Sequence, residues 1–146
     1  MAMTGVLRPG HAQIRVLDLE ESVKWYTEVM GLVPMGRDAQ GRAYFKTRSE
    51  RDHNSVVLRQ AERAGLDFFG FKVLDQATLD LLEQGLQRQG IATERIPAGE
   101  MLGTGERVRF AVPTGHTLEL YADKERVGNG LGLVNPDAWP DGLKGM

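Results

Sequence analysis

The sequence predicts an α+β fold in which two βαβββ modules lie side by side and form one curved mixed sheet. The main observation is a repeat, because Arg15-Val-Leu-Asp18 recurs as Lys72-Val-Leu-Asp75 at an offset of 57 residues (72 − 15). In each copy an alternating, strand-like run comes first, and a helical pattern and three short strand-like runs follow. Two copies predict a paired-module domain at 1–123 and not a solenoid. Module one covers about 8–62 and module two about 66–123.

Local patterns place the elements of module one. Side chains alternate over 11–17, which predicts a first strand. Asp18 is then placed to cap a helix, with Glu21 three residues later as in a capping box, and Gly31 ends that helix. Further strands are expected near 33–36, 42–47 and 54–60, with a hairpin-type turn at 38–41.

Module two repeats this order. Its first strand is expected from residue 68, and a helix follows Asp75 with leucines on one stripe and Gly90 at its end. Strands near 91–96, 107–112 and 117–122 complete the module. Residues 124–146 are rich in Gly, Asn, Pro and Asp, which predicts an extended tail or linker in which Trp139 packs back on the domain.

The composition narrows the class of protein. The chain has 146 residues, 41% of them hydrophobic and 26% charged, with a net charge of −2, as expected for one ordinary globular domain. Basic residues do not exceed acidic ones, so we expect no nucleic-acid partner. The chain has no cysteine, which excludes thiolate metal sites and fits a reducing cytoplasm. It has no membrane-length apolar run and no signal peptide, so a cytoplasmic location without membrane contact is expected.

Strand alternation also assigns side chains to the two faces of the sheet. Ala12, Ile14, Val16, Phe69, Phe71 and Val73 would face the helices. The open, concave face would then collect a mostly polar set of side chains: His11, Gln13, Arg15, Phe68, Gly70, Lys72, Thr117, Glu119 and Tyr121.

Two residues of that concave face have the chemistry of metal ligands. A His on a first strand and a Glu on a last strand, here His11 and Glu119, are two thirds of a 2-His-1-carboxylate iron site. The third ligand would lie at the repeat offset from His11, where the sequence has Phe68, which cannot bind a metal. Two ligands alone hold Fe²⁺ weakly, so we predict a remnant pair that holds no metal in this chain.

Each residue of the pair also has a structural interpretation. His11 can be a buried neutral imidazole hydrogen-bonded to a neighbour. Glu119 can form a salt bridge with a basic residue of the same face, for which the candidates are Arg15, Lys72 and Arg109. The other histidines do not complete the site by pattern. His53 lies in a polar, loop-like run, and His116 should point away from Glu119.

At this point the chain resembles a known family. The stretches that carry the resemblance span nearly the whole chain: Arg8-Pro-Gly-His-Ala-Gln-Ile-Arg-Val-Leu-Asp18, Gln40-Gly-Arg-Ala-Tyr44, Ser55-Val-Val-Leu-Arg59, Asp67-Phe-Phe-Gly-Phe-Lys-Val73, Pro97-Ala-Gly-Glu100, Val108-Arg-Phe110, Gly115-His-Thr-Leu-Glu-Leu-Tyr-Ala-Asp-Lys-Glu125 and Val134-Asn-Pro-Asp-Ala-Trp-Pro140. In this order they resemble the vicinal oxygen chelate superfamily and, within it, type I extradiol dioxygenases of the catechol 2,3-dioxygenase type.

The resemblance implies a fold and a role. The fold is the one shared by glyoxalases, bleomycin-resistance proteins and extradiol dioxygenases. Dioxygenases of this type carry two such domains in tandem, and their Fe(II) and catalytic residues lie in the C-terminal domain. This chain is similar to the N-terminal domain, so none of the family's catalytic residues can be assigned to it. It is therefore expected to be inactive alone and to bind no cofactor. Its partners would be the C-terminal catalytic domain, further copies in a homo-oligomer and, in the parent enzyme of aromatic degradation, a catechol-type substrate.

Two other functions stay open at this stage. One is a stand-alone, metal-free small-molecule-binding protein of the same superfamily, with Phe68, Phe110 and Tyr121 as apolar surface. The other is a stand-alone metalloenzyme in which His11 and Glu119 gain an unexpected third ligand or share ligands across a dimer.

Overall fold

The computed structural model describes residues 4–128. This part of the chain contains eight strands and two helices, arranged as two consecutive βαβββ modules. In chain order they are β1 (Val6–Val16), α1 (Leu19–Glu28), β2 (Val33–Arg37), β3 (Ala43–Lys46), β4 (Val56–Gln60), β5 (Gly65–Val73), α2 (Gln76–Arg88), β6 (Thr93–Ile96), β7 (Arg107–Ala111) and β8 (Thr117–Tyr121).

All eight strands form one mixed sheet in the order β2-β3-β4-β1-β5-β8-β7-β6. Within each module the first and last strands are parallel, β1 with β4 and β5 with β8, and the two modules join where β1 and β5 pair in antiparallel fashion. Ala12 lies beside Val56, and its repeat-equivalent Phe69 lies beside Leu118. The predicted α+β fold of paired modules is confirmed.

Local capping explains where the helices begin. The Asp18 carboxylate accepts from the Glu21 amide at 2.9 Å, and the Asp75 carboxylate accepts from the Thr78 amide at 2.8 Å. The cap at Asp18 was predicted from the sequence, and the predicted helix after Asp75 begins with the same kind of cap. Gly31, just beyond α1, has a φ of 70°, a left-handed conformation that glycine adopts without strain.

The first strand is longer than predicted. β1 begins at Val6 and not at His11, because Val6, Arg8 and Pro9 still pair with β5. Pro9 and Gly10 indicated a break, but the structure places a register irregularity between Pro9 and His11. A bulge at that point accommodates a residue that lacks an amide hydrogen.

Three clusters of buried apolar side chains pack on the two faces of the sheet. One packs under α1 around Leu19, Phe45 and Leu58. A second packs under α2 around Val73, Leu79, Leu82, Val108 and Leu120, and it includes Phe110. The third lies on the opposite, concave side and consists of Tyr44, Val57, Phe68 and Met101. Phe69 was expected under the helices but is 44% exposed, so the helices cover only part of their side of the sheet.

The chain after β8 crosses back over the domain. Residues 123–128, here called the strap, lie between the loop at 51–54 and the loop at 103–105. Backbone bonds fix it on both sides: the Glu125 amide donates to Gly103 at 2.7 Å, and the His53 amide donates to Glu125 at 2.9 Å. The start of the predicted tail is therefore bound to the domain. The rest of the tail, with Trp139, lies outside the described residues.

Neither helix within residues 4–128 has the length and apolar character that a membrane span requires.

Candidate functional site

The structure brings His11 and Glu119 together, although 108 positions separate them in the chain. The His11 Nε2 atom lies 3.2 Å from Glu119 Oε2, and both side chains are fully buried. They come from β1 and β8, with β5 between them. Gly70 of β5 pairs with both residues, and a Cβ atom there would lie 2.2 Å from His11 Nε2. The missing side chain at Gly70 is what allows the two to meet across β5.

Two arginines form hydrogen-bonded ion pairs with the Glu119 carboxylate. Oε1 accepts from Arg109 Nε at 2.8 Å and Nη2 at 2.6 Å, and Arg107 Nη1 lies 2.8 Å from Oε1 and 2.7 Å from Oε2. Of the three predicted partners, only Arg109 is right. Arg15 pairs with Asp67, and the Lys72 ammonium donates to a backbone carbonyl.

Sequence reasoning missed Arg107. It stands two positions before Arg109 on the same strand, so alternation places both on one face, and Arg109 lies directly beside Glu119 in the sheet. That alternation was the available signal. Arg107 is also fully buried and reaches Glu100, which anchors the loop before β7.

The protonation states follow from burial and neighbouring charges. Burial acts to raise the pKa of Glu119, but the hydrogen bond from His11 and the charge of Arg107 outweigh it and hold that pKa at about 2. Burial, reinforced by the charge of Lys124, lowers the pKa of His11 to about 3. At neutral pH Glu119 is therefore a carboxylate and His11 a neutral imidazole.

Lys124 of the strap completes this network. Its Nζ atom lies 2.8 Å from His11 Nδ1, 3.1 Å from the Asn54 carbonyl and 3.2 Å from Asn54 Oδ1. Burial lowers the pKa of Lys124 to about 7, but three acceptors around three N–H groups favour the ammonium form. His11 therefore accepts a hydrogen bond at Nδ1 and donates one from Nε2 to Glu119. These partners assign the imidazole to the tautomer that carries its proton on Nε2.

The third metal position is occupied by an aromatic ring. Phe68 lies with its ring centroid 4.7 Å from the Arg109 guanidinium and 5.9 Å from the His11 ring, and it is 3% exposed. His53 and His116 bond to Asn54 and Thr114 and are not drawn into the pair. Within residues 4–128 no group of three His, Cys, Asp or Glu side chains could hold a metal ion.

These residues do not fit an iron centre. The carboxylate oxygens that would bind the metal are already saturated by guanidinium donors, and two arginines and a lysine surround the position with positive charge. A divalent cation would have to displace these partners.

The other half of the concave face is apolar. By the register of the parallel pairs, Phe68 is equivalent to His11, and Val57 is equivalent to Glu119. Phe68 and Val57 pack with Tyr44 and Met101, and the Met101 side chain, which is fully buried, covers them from the loop before β7. The two-fold repeat thus carries an ion network in one half and a filled apolar pocket in the other.

Comparison with known proteins identifies the relatives of this fold and site. Residues 66–125 match the family model of the catechol 2,3-dioxygenase-like N-terminal domain. The metapyrocatechase of Pseudomonas sp. (strain CF600) is 54% identical over 143 residues, which is 97% of this chain and 47% of that protein. The solved structure of the 2,3-dioxygenase LapB from Pseudomonas sp. KL28 is 63% identical, with a TM-score of 0.87 over 95% of this chain and 48% of that one.

The chain matches the N-terminal domain of catechol 2,3-dioxygenase-like proteins.

The chain also covers only part of more distant relatives. The homoprotocatechuate 2,3-dioxygenase from Arthrobacter globiformis is 30% identical, with a TM-score of 0.79 over 86% of this chain and 38% of that one. The manganese-dependent 2,3-dihydroxybiphenyl 1,2-dioxygenase of Geobacillus genomosp. 3 is 27% identical over 80% of this chain and 37% of that protein. The chain spans about half the length, or less, of the curated relatives it matches.

The open space within residues 4–128 does not lie over His11 and Glu119, which are fully buried. A cavity of about 590 Å³ is bordered by Gln13, Arg42, Arg59, Glu100 and Arg109, among others. A smaller cavity of about 310 Å³ shares Gln13, Arg59 and Arg109 with it and is also bordered by Asp67, Phe68 and Thr117. The two cavities together are here called the arginine groove.

Proposed function

We propose that this chain is the N-terminal, non-catalytic domain of a catechol 2,3-dioxygenase-like extradiol ring-cleaving enzyme. One observation carries the proposal: the chain superposes on the 2,3-dioxygenase LapB over 95% of its own length, at 63% identity, but spans 48% of that protein. The whole enzyme would use O₂ to open a catechol between a hydroxylated carbon and its unhydroxylated neighbour.

The catalytic metal belongs to the remaining half in this proposal. We propose Fe(II) as that metal, although one relative is named as manganese-dependent. The C-terminal catalytic domain is the main partner, the full enzyme is a homo-oligomer, and a catechol-type compound is its substrate. This chain contributes a scaffold.

Within that scaffold His11 and Glu119 act as structural residues. Glu119 neutralises two arginines of β7, and His11 links Glu119 to the strap through Lys124. The network therefore fixes the position of the chain as it leaves β8. That is a supporting role for whatever follows the domain, and it requires no metal.

The geometry does not support the alternative of an apolar small-molecule cup. Phe68 is 3% exposed, Tyr121 is fully buried, and Phe110 packs on the α2 side of the sheet. These aromatic rings offer almost no surface to a ligand. The expectation that they form a common cup was wrong, because Phe110 lies on the opposite face.

The test is iron content and turnover of the 146-residue chain after anaerobic incubation with Fe²⁺ and desalting. We expect close to no retained iron and no yellow semialdehyde from catechol, because the carboxylate is saturated by arginines. A full-length metapyrocatechase treated in parallel provides the positive control. About one iron per chain that is lost in Glu119→Ala, or ring cleavage by the chain alone, would overturn the proposal.

A further inference from the structure

The arginine groove is an open feature of the concave face, and it lies beside the ion network, with which it shares Arg109. We propose that it is a binding site for a small organic carboxylate, held by Arg59 and Arg109. This inference does not depend on the ring-cleaving function, because the groove is built from this chain alone and involves no metal.

Arg59 and Arg109 are held in place while part of each guanidinium stays available. Arg59 donates from Nε and Nη2 to Asp67, and Arg109 donates from Nε and Nη2 to Glu119. In both residues Nη1 has no hydrogen-bond partner among residues 4–128. Their side chains are 40% and 31% exposed. A ligand would therefore meet two oriented donors and lose little side-chain entropy in binding them.

The charges around the groove favour an anion. Asp67 borders the smaller cavity and is paired with Arg59, and in the larger cavity three arginines, Arg42, Arg59 and Arg109, stand against the single carboxylate of Glu100. That carboxylate is itself paired with both Arg42 and Arg107. The rest of the polar lining consists of neutral glutamines. A bound anion would therefore gain attraction without meeting an unpaired negative charge.

Position and size favour a carboxylate that carries an organic body. Arg59 and Arg109 border both cavities, so an anionic group at the shared wall can reach both guanidiniums. The larger cavity, about 590 Å³, is of the size that binds small molecules. Two coplanar oxygens suit guanidinium edges, whereas inorganic phosphate has no body to fill the cavity.

The experiment is a calorimetric titration of the 146-residue chain with sodium benzoate, inorganic phosphate and sodium chloride at matched ionic strength. We expect saturable binding of benzoate and none of the other two, with amide chemical-shift changes centred on β4 and β7. Arg59→Gln should weaken benzoate binding by about tenfold or more, because a charge-assisted hydrogen bond is lost. Arg59→Lys, which keeps the positive charge but loses the planar guanidinium, should weaken benzoate binding less.

Arg37 provides the matched control. It also forms a two-point contact with a carboxylate, that of Glu20, and its side chain is 43% exposed, but it lies outside the groove. Arg37→Gln should therefore bind benzoate like the parent. Circular dichroism checks that each variant is folded, and Arg59→Lys retains the test should Arg59→Gln fail to fold. The proposal is overturned by equal losses in Arg37→Gln and Arg59→Lys, by phosphate binding as tight as benzoate binding, or by no saturable benzoate binding.

Discussion

At the scale of single residues, Glu119 is a buried carboxylate whose stability depends on its partners. Its oxygens accept from Arg107, Arg109 and His11, and neither Glu119 nor Arg107 has exposed side-chain surface. A buried ion pair adds little net stability when compared with apolar residues of the same shape. Removing one partner, however, leaves a buried charge without compensation. The network should therefore be sensitive to the loss of the carboxylate charge.

Glu119→Gln tests this dependence, because it keeps the shape of the side chain and removes the charge. We expect a loss of roughly 3–5 kcal/mol in the free energy of unfolding, since Arg107 would stay buried without an anion. Urea denaturation measures it. Glu20→Gln is the control, because Glu20 pairs with Arg37 on the surface and should change stability little. Equal stability of Glu119→Gln and the parent would contradict the prediction.

The folded and unfolded pKa values of His11 predict how stability depends on pH. The folded pKa, about 3, lies below the ordinary value of 6.5, so between these values the unfolded chain binds a proton that the folded chain excludes. Stability therefore falls as pH drops through this window, by up to about 1.4 kcal/mol per pH unit for one group. Glu119 acts in the same direction from about 4.5 down to about 2.

His11→Gln should flatten this dependence between pH 6.5 and 4.5, where Glu119 does not yet titrate. A glutamine amide can donate and accept, so the fold should survive the change. Urea unfolding at several pH values in this interval measures the slope. His53, whose pKa burial also lowers, provides the comparison, and His53→Gln should flatten the slope less because His53 is less buried. A slope unchanged by His11→Gln would refute the assignment.

The sequence was informative for single residues up to the end of β8. Alternation predicted that His11, Phe68 and Glu119 share a face, and the structure brings these three together. Which cation would pair with Glu119 depended on strand register, which alternation does not fix. Lys124 was assigned to the tail because no periodic pattern marks the strap. Its role follows from tertiary contacts.

At the scale of elements, β5 depends on one glycine at the centre of the sheet. A Cβ atom at Gly70 would lie 2.2 Å from His11 Nε2, so any side chain there displaces the imidazole from Glu119. Gly65, on the same strand, differs, because the atoms nearest to a Cβ atom there belong to the flexible end of Arg15.

Gly70→Ala should therefore destabilise the domain by about 1–3 kcal/mol, as expected for overpacking in a filled interior. Gly65→Ala should stay within about 0.5 kcal/mol of the parent, since Arg15 can move. Thermal and urea unfolding of both variants measure the difference. Similar losses of stability in Gly70→Ala and Gly65→Ala would mean that strand propensity, and not the contact with His11, determines the effect of a side chain at residue 70.

The boundaries of the elements were predictable where a local signal marks them. Asp18 caps α1 as predicted, and α2 follows Asp75 as predicted, since capping is a local hydrogen bond that the sequence can show. The start of β1 was not predictable in the same way. Pro9 and Gly10 resemble a strand break, and only the pairing of β1 with β5 shows that the strand continues through an irregularity.

At the scale of the whole molecule, Lys124 connects the strap to both modules. It contacts His11 of β1 and Asn54 of the loop before β4, and it lies against Tyr121 of β8. Lys124→Met should loosen the strap, so the amides of Glu125 and Val127 should exchange more than about tenfold faster with solvent. Hydrogen exchange followed by NMR measures this.

Lys24→Met is the control for that experiment, because Lys24 lies exposed on α1. It should leave the exchange of both amides unchanged. Unchanged exchange in Lys124→Met as well would show that the backbone bonds to Gly103 and Arg51 hold the strap without the ammonium group.

The overall fold could be predicted because the pattern of one module occurs twice in the sequence. The repeat of Arg15-Val-Leu-Asp18 as Lys72-Val-Leu-Asp75 gave the two modules and the equivalence of His11 with Phe68. The arginine groove was not predicted. It depends on how Arg42, Arg59 and Arg109, from three separate strands or turns, meet across the face.

The antiparallel pairing of β1 with β5 also has a consequence for folding during synthesis. A ribosome releases module one before β5 exists, so at that stage the pairing edge of β1 is open. β1 and β5 are equivalent strands of the repeat, and among the described residues each is the other's only partner along that edge. An open edge that long can recruit the corresponding strand of another nascent chain. Rapid completion of β5 therefore protects this domain from domain swapping, in which β1 of one chain would pair with β5 of another.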